Sequence, residues 1–83
     1  MENKDLILNL ICNRFPDYRE FIKELYDESE SFRLLCEDYY DCRVMLDKSA
    51  RMSYKPNSLQ KEYQILLKEI EEELLERIII WIY

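Results

Sequence analysis

The chain has no glycine among its 83 residues and only two prolines. Glycine supplies the positive backbone φ that tight turns, β-bulges and most helix C-terminal caps require. A chain without it has few ways to build compact hairpins, so the sequence predicts long helices joined by a few polar loops. The phosphate-binding loop and the dinucleotide fingerprint are excluded, because both need glycine where the backbone approaches phosphate.

Charge and apolar content narrow the class of protein. The formal net charge is −6, with 12 basic residues scattered among 18 acidic ones, so we expect no uniform basic face and no nucleic-acid partner. Apolar residues make up 48% and charged residues 36%, which is typical of a folded soluble domain without a transmembrane segment. The first residues lack the pattern of a secretory signal, and we therefore expect a cytoplasmic protein.

The residue types that most often carry catalysis are scarce. The chain has no histidine, which excludes Ser-His-Asp and Cys-His nucleophiles and histidine-ligated metals. Its three cysteines, Cys12, Cys36 and Cys42, have no paired spacing, and we interpret them as small core hydrophobes. The sequence thus predicts no cofactor and no catalytic residue.

Apolar periodicity predicts four helices in a single domain over residues 1–83. The predicted helices span about 4–13, 17–27, 30–50 and 58–82, with a polar loop at about 51–57. Pro16 separates the first two helices, and Ser29, or Asp27 with Glu30, can cap the third. On the third helix, apolar residues three and four positions apart form a coiled-coil-like seam: Phe32, Leu35, Tyr39, Cys42 and Leu46. We predict an all-α fold, a long antiparallel helical hairpin with one or two short N-terminal helices against it and coiled-coil-like packing.

The last predicted helix carries two apolar groups on different faces. At 100° per residue, an inner arc centred on Ile70 contains Tyr63, Leu66, Leu67, Leu74 and Trp81, with Ile78 at its edge. A second group, with two residues on a similar side of the third helix, is predicted to face outward: Ile65, Leu75, Ile79, Ile82, Tyr83, Leu34 and Met45. A stripe of exposed apolar side chains is typical of a surface that another element covers. These seven residues are the candidate interface.

The sequence leaves three possibilities for what covers this interface. A second copy of the chain is favoured, as a dimer, because a core this small gains much from doubling. The first helix folding back onto the surface is the next possibility. A different protein or a membrane surface is the third.

A cluster of carboxylates supports a competing hypothesis. Glu72, Glu73 and Glu76 have the E-E-x-x-E spacing that places acids on one helical face, and such sites bind magnesium in all-α nucleotide pyrophosphohydrolases. A second acidic set on the third helix, Glu37, Asp38 and Asp41, could supply the remaining ligands. We favour the simpler interpretation, a solvated acidic face, and expect no enzymatic activity.

Two stretches resemble a known family. "FPDYREFIKELYDESESFRLLCEDYYDCRVML" and "LQKEYQILLKEIEEEL" are similar to the small YdcH-like helical proteins, over about residues 15–76. That family has no assigned activity, and the resemblance implies a helical hairpin that self-associates. This chain differs from the pattern in its leading apolar helix and in ending with isoleucine and tryptophan instead of charged residues. Together with the outer apolar group, the resemblance predicts a self-associating helical module for protein–protein interaction.

Overall fold

The structure, a computed structural model, describes residues 2–52 and 58–83. Within these residues the chain is all-α and contains no strand, which confirms the predicted class. The helices are α1 (Glu2–Arg14), α2 (Arg19–Glu28), α3 (Glu30–Met52) and α4 (Ser58–Ile82), with a 3₁₀ turn at Pro16–Tyr18 between α1 and α2. Of the loop predicted at 51–57, Arg51 and Met52 instead continue α3, and residues 53–57 lie outside the described part.

The junction between α1 and α2 follows from Pro16. The residue before it, Phe15, has non-helical dihedrals (φ −127°, ψ 67°), because the proline ring disfavours the helical region for the residue that precedes it. Proline fits the first position of a helical turn because it has no N–H to satisfy there. The three residues from Pro16 to Tyr18 therefore form a 3₁₀ turn, and α2 begins at Arg19, two residues later than predicted.

The corner between α2 and α3 is held by side chains. Ser29 has an extended backbone, and its Oγ accepts a hydrogen bond from the Phe32 N–H at 3.2 Å. Ser29 therefore caps the N-terminus of α3, which is one of the two caps that the sequence predicted. Arg33 donates from Nε to the Tyr26 carbonyl at 3.3 Å and lies 5.6 Å from the Tyr26 ring centre. These contacts satisfy backbone groups that the helix ends leave unpaired.

All four helices contribute to one apolar core. The buried residues are Ile7, Ile11, Cys12, Phe15, Ile22, Leu25, Tyr26, Phe32, Cys36, Tyr39, Cys42, Leu67, Ile70, Leu74 and Ile78. The three cysteines are free and buried, which confirms the prediction that they pack as core residues. Burial raises the pKa of the Cys36 thiol to about 12 and also raises the pKa of Cys12 and Cys42, so the thiols stay protonated near neutral pH.

Helices α3 and α4 share the most extensive contact in the molecule. Hydrogen bonds between described residues of the two helices include Arg77 to Ser31, Tyr39 to Glu71, and the Cys42 thiol to the Tyr63 carbonyl. From one of these bonds to the next, the residue number rises on α3 and falls on α4, so the two helices run in opposite directions. The 25 residues of α4 span about 38 Å at 1.5 Å per residue, nearly the full 43 Å length of the molecule. Helices α1 and α2 pack against α3, and α2 also contacts α4.

Candidate functional site

The inner face of α4 is rotated from the predicted one. Its buried residues are Leu67, Ile70, Leu74 and Ile78, so the face is centred about 50° from Ile70, on the side of Leu74 and Ile78. Two residues predicted for the inner arc, Leu66 and Trp81, are instead 46% and 42% exposed. That part of the prediction is wrong.

The same rotation brings two predicted interface residues inward. Leu75 and Ile82 are half-buried and pack against the core. The reason is that α4 has several neighbours: α2 and α3 pack on it, and Arg14 at the end of α1 reaches Glu71. A helical wheel centres the buried face on the apolar residues alone, whereas the positions of the neighbouring helices decide which side is covered.

The other five predicted interface residues remain exposed: Ile65, Ile79, Tyr83, Leu34 and Met45. They are exposed with α1 in place, and α1 buries Ile7, Ile11 and Cys12 in the common core instead. The possibility that the first helix covers this surface is therefore wrong for these five residues.

The five exposed residues do not form one continuous stripe. On α3, the charged side chains Asp38 and Asp41 lie on the same face as Leu34 and Met45 and separate them. On α4, charged residues likewise follow Ile65 along the outer face. Exposed apolar surface is therefore concentrated in the last turns of α4. We call Ile79 and Tyr83, which face outward there, the outer patch.

A groove lies beside the outer patch, between the α2–α3 corner and the second half of α4. Its volume is about 680 Å³. It is lined by Leu25, Ser29, Phe32, Glu69, Glu72, Glu73, Glu76, Arg77, Ile80 and Trp81. The sequence analysis missed this groove, because it forms only where the corner meets α4. The one signal available was that Ile80 shares an α4 face with Glu69 and Glu73.

The groove is acidic. Arg77, its one cation, donates to Glu73 Oε2 at 3.1 Å and to Ser31 Oγ at 3.0 Å, so its charge is already engaged. The ion pair with Glu73 is one of the i,i+4 pairs that the spacing favours. Within the described ranges, Glu69, Glu72 and Glu76 have no ion-pair partner. Four carboxylates therefore face the groove against a single guanidinium.

The proposed magnesium ligands do not converge. Among the residues that the structure describes, no three histidine, cysteine, aspartate or glutamate side chains are placed to hold a metal ion. Glu73 is paired with Arg77, and Asp38 and Asp41 are exposed on α3. The structure thus does not bring Glu72, Glu73 and Glu76 together with the acids of α3.

A second polar cluster joins three helices. Glu71 on α4 accepts hydrogen bonds from Arg14 Nη2 of α1 at 3.0 Å and from the Tyr39 hydroxyl of α3 at 2.7 Å. Burial by itself would raise the pKa of Glu71, but these two hydrogen bonds and the positive charges of Arg14 and Arg43 together outweigh it and lower that pKa. Burial, and then the bond to Glu71, raise the pKa of Tyr39 well above its usual value. The cluster is therefore an ionised carboxylate held by two donors, which stabilises the packing of α1, α3 and α4.

Comparisons with known proteins do not identify a relative of this chain. No family model, no curated protein and no solved structure matches it. In the described part of the chain, no helix is both long and apolar enough to cross a membrane. The functional argument therefore depends on the groove, the outer patch and the charges around them.

Proposed function

We propose that this protein is a small cytoplasmic helical module that associates with a second copy of itself through the outer face of α4. The observation that carries the proposal is the outer patch. Ile79 remains 40% exposed and Tyr83 97% exposed after all four helices have packed. Exposed apolar side chains grouped at one place are typical of interaction sites.

The register of the outer face favours an antiparallel pair of α4 helices. Positions along this face follow one another at alternating spacings of three and four, with Leu75 and Ile82 half-buried at its edge: Lys61, Ile65, Lys68, Glu72, Leu75, Ile79 and Ile82. If the two-fold axis passes beside Glu72, then Ile65 of one copy lies opposite Ile79 of the other. Lys68 then lies opposite the acidic turn at Leu75 and Glu76. This register matches Ile65 with Ile79 and Lys68 with Glu76, whereas Lys61 lies opposite Ile82 and Glu72 faces its own copy at the axis.

Other features agree with this proposal. A chain of 83 residues builds a small core, and an isologous dimer extends it by burying the same surface on both copies. The resemblance to YdcH-like proteins also implies a self-associating helical hairpin. We propose that α3 and α4 form such a hairpin with coiled-coil-like packing, and that the dimer adds a second α4 to it.

The proposal is tested by measuring mass in solution. Sedimentation velocity across the micromolar range should show a dimer for the unchanged chain, and Ile79→Asp should convert it to a monomer, since it places a charge opposite Ile65. Phe21→Asp is the matched control, because Phe21 is 38% exposed but lies on α2. A wild-type monomer throughout this range, or a dimer that Ile79→Asp leaves intact, would overturn the proposal.

A further inference from the structure

We propose that the acidic groove binds a basic amphipathic helix from another protein. The inference goes beyond self-association, because it concerns a different side of α4. At 100° per residue, Ile80 in the groove lies about 100° around the helix from Ile79 in the outer patch. The apolar parts of the two surfaces are therefore separate, and the surfaces share only the acidic edge at Glu72 and Glu76.

The shape of the groove suits a short helix. The stretch of α4 from Glu69 to Trp81 that lines it is about 18 Å long, which matches about three helical turns. Leu25 and Phe32 are buried beneath it, whereas Ile80 and Trp81 are 67% and 42% exposed at one end. An incoming helix could thus place two or three apolar side chains against Ile80 and Trp81.

The groove is formed mainly by side chains. Nearly all of its lining residues belong to α2, α3 and α4, whose backbone groups are bonded within the helices apart from the last carbonyls of α4. An extended peptide would find no sheet edge here to satisfy its own N–H and C=O groups. A helix satisfies its backbone internally, so it is the form of ligand that this site accepts.

The charge of the groove selects the partner. Glu69, Glu72 and Glu76 are unpaired within the described ranges, and they flank the apolar end formed by Ile80 and Trp81. Lysine or arginine beside the apolar face of a ligand helix would pair with these carboxylates and speed its association. A second copy of this chain, with its net charge of −6, is a poorer match for the same site.

Trp81 provides a direct measurement, since it is the only tryptophan in the chain. The probe is a synthetic helical peptide of leucine and lysine, without tryptophan, whose leucines lie on one face. One control peptide has the same composition in scrambled order, and another has glutamate in place of lysine. We expect the first peptide to shift Trp81 emission to the blue in a saturable way, with affinity that falls as salt rises.

Variants locate the binding site. Ile80→Ala and Glu69→Gln should each weaken peptide binding by roughly threefold or more, because they remove an apolar contact and a charge from the groove. Glu24→Gln, an exposed acid on α2 outside the groove, should leave binding unchanged. Ile79→Asp should also leave it unchanged, so failure of this inference can be distinguished from failure of self-association.

Several results would overturn the inference. Equal binding of the scrambled peptide would mean that only overall charge attracts the ligand. No change in Trp81 emission, or full affinity in both Ile80→Ala and Glu69→Gln, would place the peptide elsewhere. If the peptide instead converts the dimer to monomers, a second copy is the natural occupant of the groove.

Discussion

Three consecutive isoleucines on α4 have different environments. Ile78 is fully buried, Ile79 is 40% exposed, and Ile80 is 67% exposed. The residues are chemically identical, and each is turned about 100° from the previous one around the helix. Ile78 therefore belongs to the core, Ile79 to the outer patch and Ile80 to the groove. The comparison teaches that one residue type is buried on one side of α4 and exposed on the others, where we propose that it makes contact with partners.

The largest expected effect is on the free energy of unfolding, and it tests whether Ile78 and Ile80 differ in burial. Ile78→Ala should lower the free energy of unfolding by about 3 kcal/mol, since it leaves a cavity in the packed core. Ile80→Ala should change it by less than about 0.5 kcal/mol, because its side chain is mostly in water already. Urea unfolding followed by far-UV circular dichroism measures both. Equal losses would show that the two isoleucines do not differ in burial as described.

The next effect concerns the polar cluster formed by Arg14, Tyr39 and Glu71. Tyr39→Phe should cost about 1.5 kcal/mol, because it removes the hydroxyl that donates to the Glu71 carboxylate at 2.7 Å. Tyr40→Phe is the matched control one position along α3, where the side chain is half-buried. The same urea measurement applies, and a Tyr40 effect as large as that of Tyr39 would contradict the special role of the cluster.

The cluster should also make stability depend on pH. The folded state lowers the pKa of Glu71 below its usual value of 4.5, so the stabilisation is present above about pH 4.5. It is lost as the pH falls through the lower folded pKa, where the carboxylate becomes protonated. Glu71→Gln should remove this part of the acid dependence, which unfolding curves between about pH 6 and pH 3 will measure. Tyr39→Phe should reduce it as well, and an unchanged profile in both variants would argue against the cluster as its source.

The smallest expected effect concerns the outer side of α4. In the proposed antiparallel dimer, Glu72 lies beside the axis and faces its own copy, so two like charges oppose each other. Glu72→Ala should therefore strengthen self-association, by roughly threefold in the dissociation constant. Sedimentation at several concentrations measures it. Weaker association would indicate a different register of the two helices.

The number of helices and the approximate positions of their ends were predictable because they depend on local chemistry. Pro16 separates α1 from α2, Ser29 caps α3, and apolar spacing marks the length of α4. The burial of the three cysteines also followed from composition. The error at Arg51 and Met52, which extend α3, arose because a polar stretch does not show where a helix ends.

The candidate site was less predictable, because it depends on how the helices are placed around one another. Leu66 and Trp81 were expected inside and are exposed, whereas Leu75 and Ile82 were expected outside and are half-buried. The rotation of α4 against several neighbours explains Leu66, Leu75 and Ile82, whereas Trp81 lies within the buried arc and is exposed in the last turn of α4, where it lines the groove. The groove as a whole could not be predicted, since the residues that line it come from distant parts of the chain and only those on α4 share a face.

The sequence by itself determined the all-α class, since a chain without glycine has few ways to build turns and its apolar residues recur at helical spacing. It also determined that α4 would carry more apolar side chains than a single helix neighbour can cover. Only the tertiary structure decided which of these residues are buried, because burial depends on the direction from which α1, α2 and α3 approach. That direction is set by the corner at Ser29 and by the contacts of Arg14 and Tyr39 with Glu71.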